Sequence, residues 1–320
     1  MGEHGRAVVA ATVWLCPGQG AKKVGMGKDL AERFPAARET FQAIDQALGF
    51  GLSRLMFEGP EEELTATHNA QPAILAHSAA VFAVVGPRAG AGAAAAGHSL
   101  GEYSAYVTAG ALAPTEAATL VRRRGELMHQ AGTERPGTMA AVLGLATADV
   151  EAACRDSSTG GEVVVAANLN APDQTVISGD PAAVARAGDA CKARGAKRVI
   201  ALKVSGAFHS PLMGPAANQL RVALERAPFR DPGFPVIANA TAEPVRDAGR
   251  ARRLLGDQLT TAVRWVGCMQ RAGELAGGDA RFIEIGPGTV LAGLVKRTVP
   301  GANALSLGTA DEVTRFLEAA

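Results

Sequence analysis

The sequence has few cysteines and no excess of charge of one sign. Its four cysteines lie far apart with no C-x-x-C pair, which argues against a zinc site or a disulfide framework and favours a reducing, cytoplasmic setting. The 32 lysines and arginines nearly balance the 31 acidic residues, so the formal net charge is +1 and gives no electrostatic basis for binding nucleic acid. We therefore expect neither a metal site nor a nucleic-acid partner.

The chain also lacks a clear membrane or targeting segment. No apolar run approaches the roughly 20 residues of a membrane span. The run "AVVAATVWLC" follows Arg6 as in a secretory signal, but Glu3 offsets that charge and "PGQG" follows without a clear cleavage site. Arg6 also stands where a myristoylation signal has Ser or Thr. We expect a soluble protein without a membrane anchor, in which this run is a buried parallel strand.

The sequence is rich in apolar residues arranged in alternating strand and helix patterns. With 48% apolar residues, a chain of 320 residues can bury a large core, and its length predicts about two domains. The strand "VVAATVWLC" precedes helical patterns in "LAERFPAARETFQAIDQAL" and "QPAILAHSAAVFAVV". This alternation predicts an α/β fold, with a large α/β-hydrolase-like domain built on a parallel sheet.

The middle of the chain predicts a second, smaller unit. From Thr138 to Val204 the pattern is strand, helix, strand, strand, helix, strand, which is the ferredoxin-like βαββαβ order. We place this inserted subdomain at residues 136–203. The large catalytic domain then consists of residues 1–135 and 204–320.

One serine lies in a motif typical of nucleophiles. In "AAAAGHSLGEYSAYVTAG", Gly97 and Gly101 flank Ser99 at the G-x-S-x-G spacing of a nucleophile elbow, a sharp turn between a strand and a helix. The preceding "AAAA" has poor β-propensity, and its pattern alone favours a helix. Because the motif also arises by chance in a chain with 38 glycines, an ordinary structural turn stays open.

An arginine on an apolar helix face indicates a binding site more specifically than the serine motif does. On the helix "TEAATLVRRRGELMHQ", Arg124 falls on the apolar face, whereas Arg122 and Arg123 point to the polar side. Burying a guanidinium costs on the order of several kcal/mol unless an acceptor faces it. We expect an anionic partner for Arg124. An internal salt bridge and extension of the head group to solvent are the alternatives.

A histidine in "VSGAFHSPLM" is the candidate base. His209 follows an apolar strand, and Ser210 is placed to cap the helix that Pro211 opens. The carboxyl ends of parallel strands are where α/β folds gather reactive groups, so His209 can act on Ser99. The other histidines are expected to be structural: His4, His68, His77, His98 and His129.

The turn "PGQG" provides a candidate for binding an oxyanion. Its glycines allow the main chain to approach a substrate, so the N–H of Gln19 can form an oxyanion hole together with that of Leu100. An ordinary turn between a strand and a helix is the alternative.

Seven motifs along the chain identify a resemblance. They are "PGQG", "TATHNAQPAI", "GHSLGEYSAYVTAG", "RRRGELM", "NLNAPDQTVISG", "GAFHSPLM" and "EIGPGTVLAGL", from about Val13 to Leu307. In order and spacing they resemble the malonyl-CoA:acyl carrier protein transacylase family, and also the acyltransferase domains of polyketide synthases. The resemblance implies malonyl transfer from malonyl-CoA to the phosphopantetheine thiol of an acyl carrier protein, in fatty-acid or polyketide biosynthesis, with no bound cofactor. We expect a monomer.

The resemblance also implies roles for individual residues. Ser99 becomes the acylated nucleophile and His209 its base, oriented by a main-chain carbonyl that we assign to Gln258 in "GDQLTTAVRW". Arg124 holds the free carboxylate of malonate.

Two further residues are implied to contact the substrate. These are Gln71 and Phe208, and the phenyl ring of Phe208 next to the base leaves little room for an α-branched acyl group. This bulk is typical of members of the family that use malonyl rather than methylmalonyl groups.

One motif departs from the family pattern. The usual "GQGSQ" reads "GQGAK" here, with Ala21 and Lys22. Because the oxyanion donor is the main chain of Gln19, we expect activity to survive. Lys22 and Lys23 are expected to be solvated rather than bound to the phosphates of coenzyme A.

Two other functions remain open at this stage. A serine hydrolase would need an acid, and Asp173 or Asp180 lies between Ser99 and His209 in the order Ser, Asp, His. A noncatalytic module that docks a carrier protein could use the basic segment "CKARGAKR".

Overall fold

The computed structural model describes residues 11–89 and 92–319. The features interpreted in "MGEHGR" and the beginning of "AVVAATVWLC" lie outside the described residues. The rest of that run forms the first strand, Thr12–Cys16, which is buried as expected.

The described strands belong to two sheets. They are β1 Thr12–Cys16, β2 Gly92–Gly97, β3 Thr138–Leu143, β4 Val164–Ala171, β5 Gln174–Gly179, β6 Arg198–Ala201, β7 Val236–Ile237, β8 Pro244–Val245, β9 Arg281–Ile285 and β10 Asn303–Leu307.

Helices surround both sheets. They are α1 Lys28–Arg33, α2 Pro35–Leu48, α3 Leu52–Glu58, α4 Glu61–Thr65, α5 Thr67–Val85, α6 Gly101–Thr108, α7 Pro114–Glu134, α8 Thr147–Ser157, α9 Pro181–Ala193, α10 Gly214–Arg226, α11 Ala248–Asp257, α12 Trp265–Ala276, α13 Val290–Thr298 and α14 Ala310–Ala319. Short 3₁₀ turns lie at Gln19–Ala21, Gly86–Arg88, Pro211–Met213 and Gln258–Thr260.

The larger sheet has the strand order β10-β9-β1-β2-β7-β8. All neighbouring pairs are parallel except β7 with β8, which is antiparallel. The predicted α/β fold with a mostly parallel sheet is thus confirmed. β1 and β2 lie at its centre, so the turns that follow their carboxyl ends meet at one edge of the sheet.

The smaller sheet is antiparallel, with the order β4-β5-β3-β6. Together with α8 and α9 it forms the predicted βαββαβ subdomain around its own apolar core. These elements span residues 138–201, within the predicted 136–203, and the domain boundaries themselves stay a prediction. The main chain of Val263 bonds Ala167 and Leu169 of β4, which joins the subdomain to the large domain.

The strand before Ser99 differs from the helical preference of its sequence. "GAAAAG" forms β2, and Ala94, Ala95 and Ala96 are fully buried. Pairing with β1 and β7 on both sides outweighs the low β-propensity of alanine. The small side chains let α6 and α12 pack closely on the two faces of the strand.

The predicted setting of His209 is wrong. The preceding strand, β6, ends at Ala201 and pairs antiparallel with β3 in the small sheet. His209 lies in the loop that returns the chain to the large domain, with a φ of +57°. The apolar run "KRVIALKV" forms the last strand of the subdomain, as the βαββαβ pattern predicts, and so does not end at the edge of the parallel sheet.

The long helix α5 crosses the core of the large domain. By length and composition the segment Thr67–Arg88 could span a membrane, although the sequence predicts no such run; 72% of its most apolar window is buried inside the protein. Burial on this scale is typical of a core helix.

His77 of α5 makes the stability of the fold depend on pH. Its ring is fully buried and neither ring nitrogen has a hydrogen-bond partner among the described residues. Burial lowers the pKa of His77 from 6.5 to about 4. The unfolded chain therefore binds a proton below pH 6.5 that the folded protein does not bind until about pH 4, so stability falls as the pH is lowered through this window.

We predict that His77→Leu removes one part of this dependence, whereas the part from the buried His209 remains. Between pH 7 and pH 5 the histidine should remove about 2 kcal/mol from the free energy of unfolding, and the variant should lack that loss. Urea unfolding of both proteins at the two pH values measures the difference. Equal losses in the wild type and the variant would contradict the assignment, whatever the absolute stability of the variant.

Candidate active site

Ser99 lies at a strained turn between β2 and α6. Its φ is +55°, a backbone conformation that residues other than glycine rarely adopt. A Cβ atom on Gly97 would lie 1.9 Å from the main chain of Gly101, and one on Gly101 would lie 2.1 Å from the carbonyl oxygen of Cys16. Both glycines are therefore required for the turn to close, as in a nucleophile elbow.

The structure brings Ser99 and His209 into contact. Ser99 Oγ lies 2.8 Å from His209 Nε2, and His209 Nδ1 lies 2.9 Å from the carbonyl oxygen of Gln258. Since that carbonyl can only accept, Nδ1 carries the proton and Nε2 is left to accept from the serine hydroxyl. Burial and the charge of Arg124 lower the pKa of His209 to about 3, so the imidazole is neutral and can take a proton.

Arg124, on α7, also contacts Ser99. Its side chain is 1% exposed, which rules out extension to solvent. Nη1 donates to Gln71 Oε1 at 2.6 Å, and Nη2 donates to Ser99 Oγ and Gln258 Oε1, both at 3.0 Å. All three acceptors are neutral. Within the described ranges no carboxylate lies within 4.0 Å of this guanidinium, so the internal salt bridge is not formed there.

The two main-chain groups expected to bind an oxyanion lie in the turns that follow the neighbouring strands β1 and β2. Gln19 begins the 3₁₀ turn after β1, and Leu100 immediately precedes α6. In the part of the chain that the structure describes, neither N–H donates a hydrogen bond. Leu100 also lies at the N-terminus of α6, which is the positive end of the helix dipole. Both groups are thus available to an oxygen next to the serine.

A cleft of about 380 Å³ leads to Ser99 between the two domains. Phe208 and Met128 line it from the large domain, and Asn168 and Asn170 line it from β4 of the subdomain. The predicted substrate contact Phe208 therefore borders the cleft directly beside His209. Gln71, the other predicted contact, does not line the cleft and instead bonds Arg124.

His98 and Lys22 depart from their predicted settings. His98 lines the cleft, and its Nε2 lies 2.8 Å from Asn170 Oδ1. Lys22 is half-buried in the cleft wall rather than fully solvated, and burial lowers its pKa. Lys23 is exposed as predicted.

Two polar residues behind the serine were missed from the sequence. Asn239 Oδ1 accepts from the main-chain N–H of Ser99, and Asn239 Nδ2 donates to the carbonyl of Gly97, both at 2.8 Å. Glu102 is fully buried on α6. A carboxylate within the apolar helix "GEYSAYVT" was a signal for Glu102, whereas nothing in the pattern around Asn239 marks it.

Neither Asp173 nor Asp180, the acids considered for a serine hydrolase triad, bonds His209. Asp173 and Asp180 each pair with an arginine at the surface. The Nδ1 position that such an acid would occupy faces the carbonyl of Gln258 instead.

Comparisons with known proteins identify the family of the chain. Residues 13–318 match the family described as the acyl transferase domain. The malonyl CoA-acyl carrier protein transacylase of Bacillus subtilis is 44% identical over 284 residues, which are 89% of each chain. The enzyme of the same name from Escherichia coli K12 is 42% identical over 306 residues, 95% of this chain and 98% of the relative.

Solved structures are equally similar. A malonyl-transacylase in complex with its type II PKS acyl-carrier protein is 41% identical, covers 97% of this chain and all of its own, and superposes with a TM-score of 0.92. The likeness thus extends over sequence, fold and nearly the full length. The chain belongs to the malonyl-CoA:acyl carrier protein transacylase family.

Proposed function

We propose that this chain transfers a malonyl group from malonyl-CoA to the phosphopantetheine thiol of an acyl carrier protein, through a malonyl ester of Ser99. The observation that carries the proposal is the guanidinium of Arg124, which is buried, lacks a carboxylate partner in the described structure and lies 3.0 Å from Ser99 Oγ. A cation at this position suits an acyl group that ends in a free carboxylate. Membership of the family supports the same reaction.

In the first half-reaction, Ser99 Oγ attacks the thioester carbonyl while His209 Nε2 takes the hydroxyl proton. The N–H groups of Gln19 and Leu100 donate to the oxyanion, and each such donor contributes roughly 3 kcal/mol in other oxyanion holes. The carbon–sulfur bond then breaks and the coenzyme A thiolate takes the proton from His209. The carbonyl of Gln258 keeps the imidazole in the required tautomer throughout.

In the second half-reaction, the phosphopantetheine thiol gives its proton to His209 and attacks the malonyl ester. The ester bond breaks, and the proton returns to Ser99 Oγ. Because the neutral base is regenerated at each step, the cycle needs no cofactor bound to this chain. We infer that the acyl carrier protein brings the phosphopantetheine, that the enzyme acts as a monomer, and that it works in the cytoplasm in fatty-acid or polyketide biosynthesis.

The two rival functions are less well supported. The hydrolase lacks an acid beside His209 among the described residues. In the segment proposed for docking, Lys192 and Arg194 pair with Asp189 and Asp156 of the same subdomain, so part of its positive charge is already neutralised.

Brief exposure of the protein to malonyl-CoA should acylate one residue, Ser99. Intact-protein and peptide mass spectrometry should find the mass of one malonyl group, and Ser99→Ala should abolish it. Addition of a phosphopantetheinylated carrier protein should then remove the label faster than buffer alone. A label that water removes as fast as the carrier protein does would instead support the hydrolase.

Arg124→Ala should change the preferred acyl group. Loss of the charge-assisted contact to the malonyl carboxylate is expected to lower kcat/KM for malonyl-CoA roughly a hundredfold, while acetyl-CoA is affected much less. Competition between the two thioesters measures the ratio. The matched control is Arg123→Ala, an exposed position on the same helix that should keep the wild-type ratio. An unchanged ratio in Arg124→Ala would remove the carboxylate-binding role.

Phe208→Ser should admit a branched acyl group. Removing the ring that borders the cleft beside His209 is expected to raise kcat/KM for methylmalonyl-CoA relative to malonyl-CoA by about tenfold or more. The ratio serves as its own control, because partial unfolding lowers both rates equally. If the variant discriminates as strongly as the wild type, exclusion by Phe208 is wrong.

A further inference from the structure

Glu102 is a buried carboxylate with no place in the reaction described so far. It lies on the first turn of α6, three residues after Ser99, and is 0% exposed. Its Oε2 accepts from the main-chain N–H of Asn239 at 3.0 Å and from Gln258 Nε2 at 2.6 Å. Its Oε1 has no hydrogen-bond partner in the described structure. Burial of a carboxylate is costly, so its position calls for an explanation.

Both partners of Glu102 hold the reacting groups. Asn239 bonds the main chain on either side of the elbow, at Ser99 N–H and Gly97 carbonyl. Gln258 contacts His209, Arg124 and Ser99, each through a different atom. Its main-chain carbonyl accepts from His209, its Oε1 accepts from Arg124, and its Nε2 donates to the carbonyl of Ser99.

The hydrogen bond to Glu102 bears on which way the Gln258 side-chain amide is turned. Glu102 Oε2 already accepts from the main-chain N–H of Asn239, so the Gln258 amide turns its Nε2 towards Glu102 and its Oε1 towards Arg124. In the reversed orientation, the amide N–H₂ would face the N–H groups of the guanidinium. Glu102 and the Ser99 carbonyl both accept from Nε2, and together they favour the one orientation of Gln258 that places an acceptor beside Arg124.

The same arrangement explains how a cation can be held without being neutralised. Glu102 reaches Arg124 through the Gln258 amide and not by a direct ion pair. Burial raises the pKa of Glu102 to about 7, while its bonds from Asn239 and Gln258 and the charge of Arg124 oppose that rise. A direct ion pair would occupy the donors of the guanidinium. Because Glu102 acts through the Gln258 amide, the guanidinium of Arg124 can still donate to Ser99 Oγ.

We propose that Glu102 is a positioning residue, whose carboxylate acts through the Gln258 side chain to direct Arg124 at Ser99 and so sets the preference for carboxylated acyl groups. This inference rests on the proposed function. It assigns a role in substrate selection to a residue that touches neither substrate nor the reacting atoms.

The test compares acylation by malonyl-CoA and acetyl-CoA in variants of the full-length protein. Glu102→Met removes the shortest of the bonds that Gln258 Nε2 donates, while those to the Ser99 carbonyl and Asn239 Oδ1 remain. It should lower the malonyl to acetyl ratio of kcat/KM roughly tenfold, because the Gln258 amide is held less firmly beside Arg124. Glu102→Gln should keep the ratio within about threefold of the wild type. Its amide oxygen can still accept the bonds from the Asn239 N–H and from Gln258 Nε2. Ser104→Ala, a buried position on the same helix with an unpartnered hydroxyl, should keep the wild-type ratio.

A merely structural Glu102 would give a different result. Equal losses for the two thioesters, or an unchanged ratio in Glu102→Met, would overturn the proposal. If Glu102→Met does not fold, Glu102→Asp takes its place: the shorter carboxylate no longer reaches Gln258 and should lower the ratio, while an unchanged ratio would again overturn the proposal. Failure of the wild type to form malonyl-Ser99 would instead refute the proposed function itself.

Discussion

The site depends on one buried positive charge held next to a nucleophile. The guanidinium of Arg124 is removed from water and donates to neutral oxygens of Gln71, Ser99 and Gln258, and it lies 5.7 Å from the centre of the Tyr103 ring. These acceptors offset part of the desolvation cost but leave the charge uncompensated at short range. We propose that this charge binds an anion from outside the chain, and an acyl group with a free carboxylate is the ligand that would bring one next to the serine.

The fold supplies this geometry from distant parts of the chain. The glycines beside Ser99 let β2 turn sharply into α6, and the small residues of β2 let both neighbouring helices approach. The loop after the subdomain brings His209 to the serine, and the turn after α11 brings Gln258. The subdomain closes the cleft with Asn168 and Asn170. A serine ester in such a partly enclosed cleft is better protected from water than one at an open surface.

Local sequence predicted the parts of the site that local patterns encode. Ser99 stands in a five-residue motif, and Arg124 interrupts the apolar face of a regular helix, so both could be identified. The strand β2 and the loop of His209 were predicted less well. Sheet neighbours decide whether "AAAA" is extended, and a loop after β6, not a parallel strand, carries His209 to the serine. Asn239 and the side-chain role of Gln258 depend on bonds across 140 and 159 residues, which no window of sequence contains.

The most direct test of the account is a crystal structure of the protein after a brief soak in malonyl-CoA. We predict a malonyl ester on Ser99 whose free carboxylate lies about 3 Å from the guanidinium nitrogens of Arg124, with its carbonyl oxygen between the N–H groups of Gln19 and Leu100. A malonyl carboxylate turned towards solvent, with Arg124 still bonded only to Gln71 and Gln258, would contradict it.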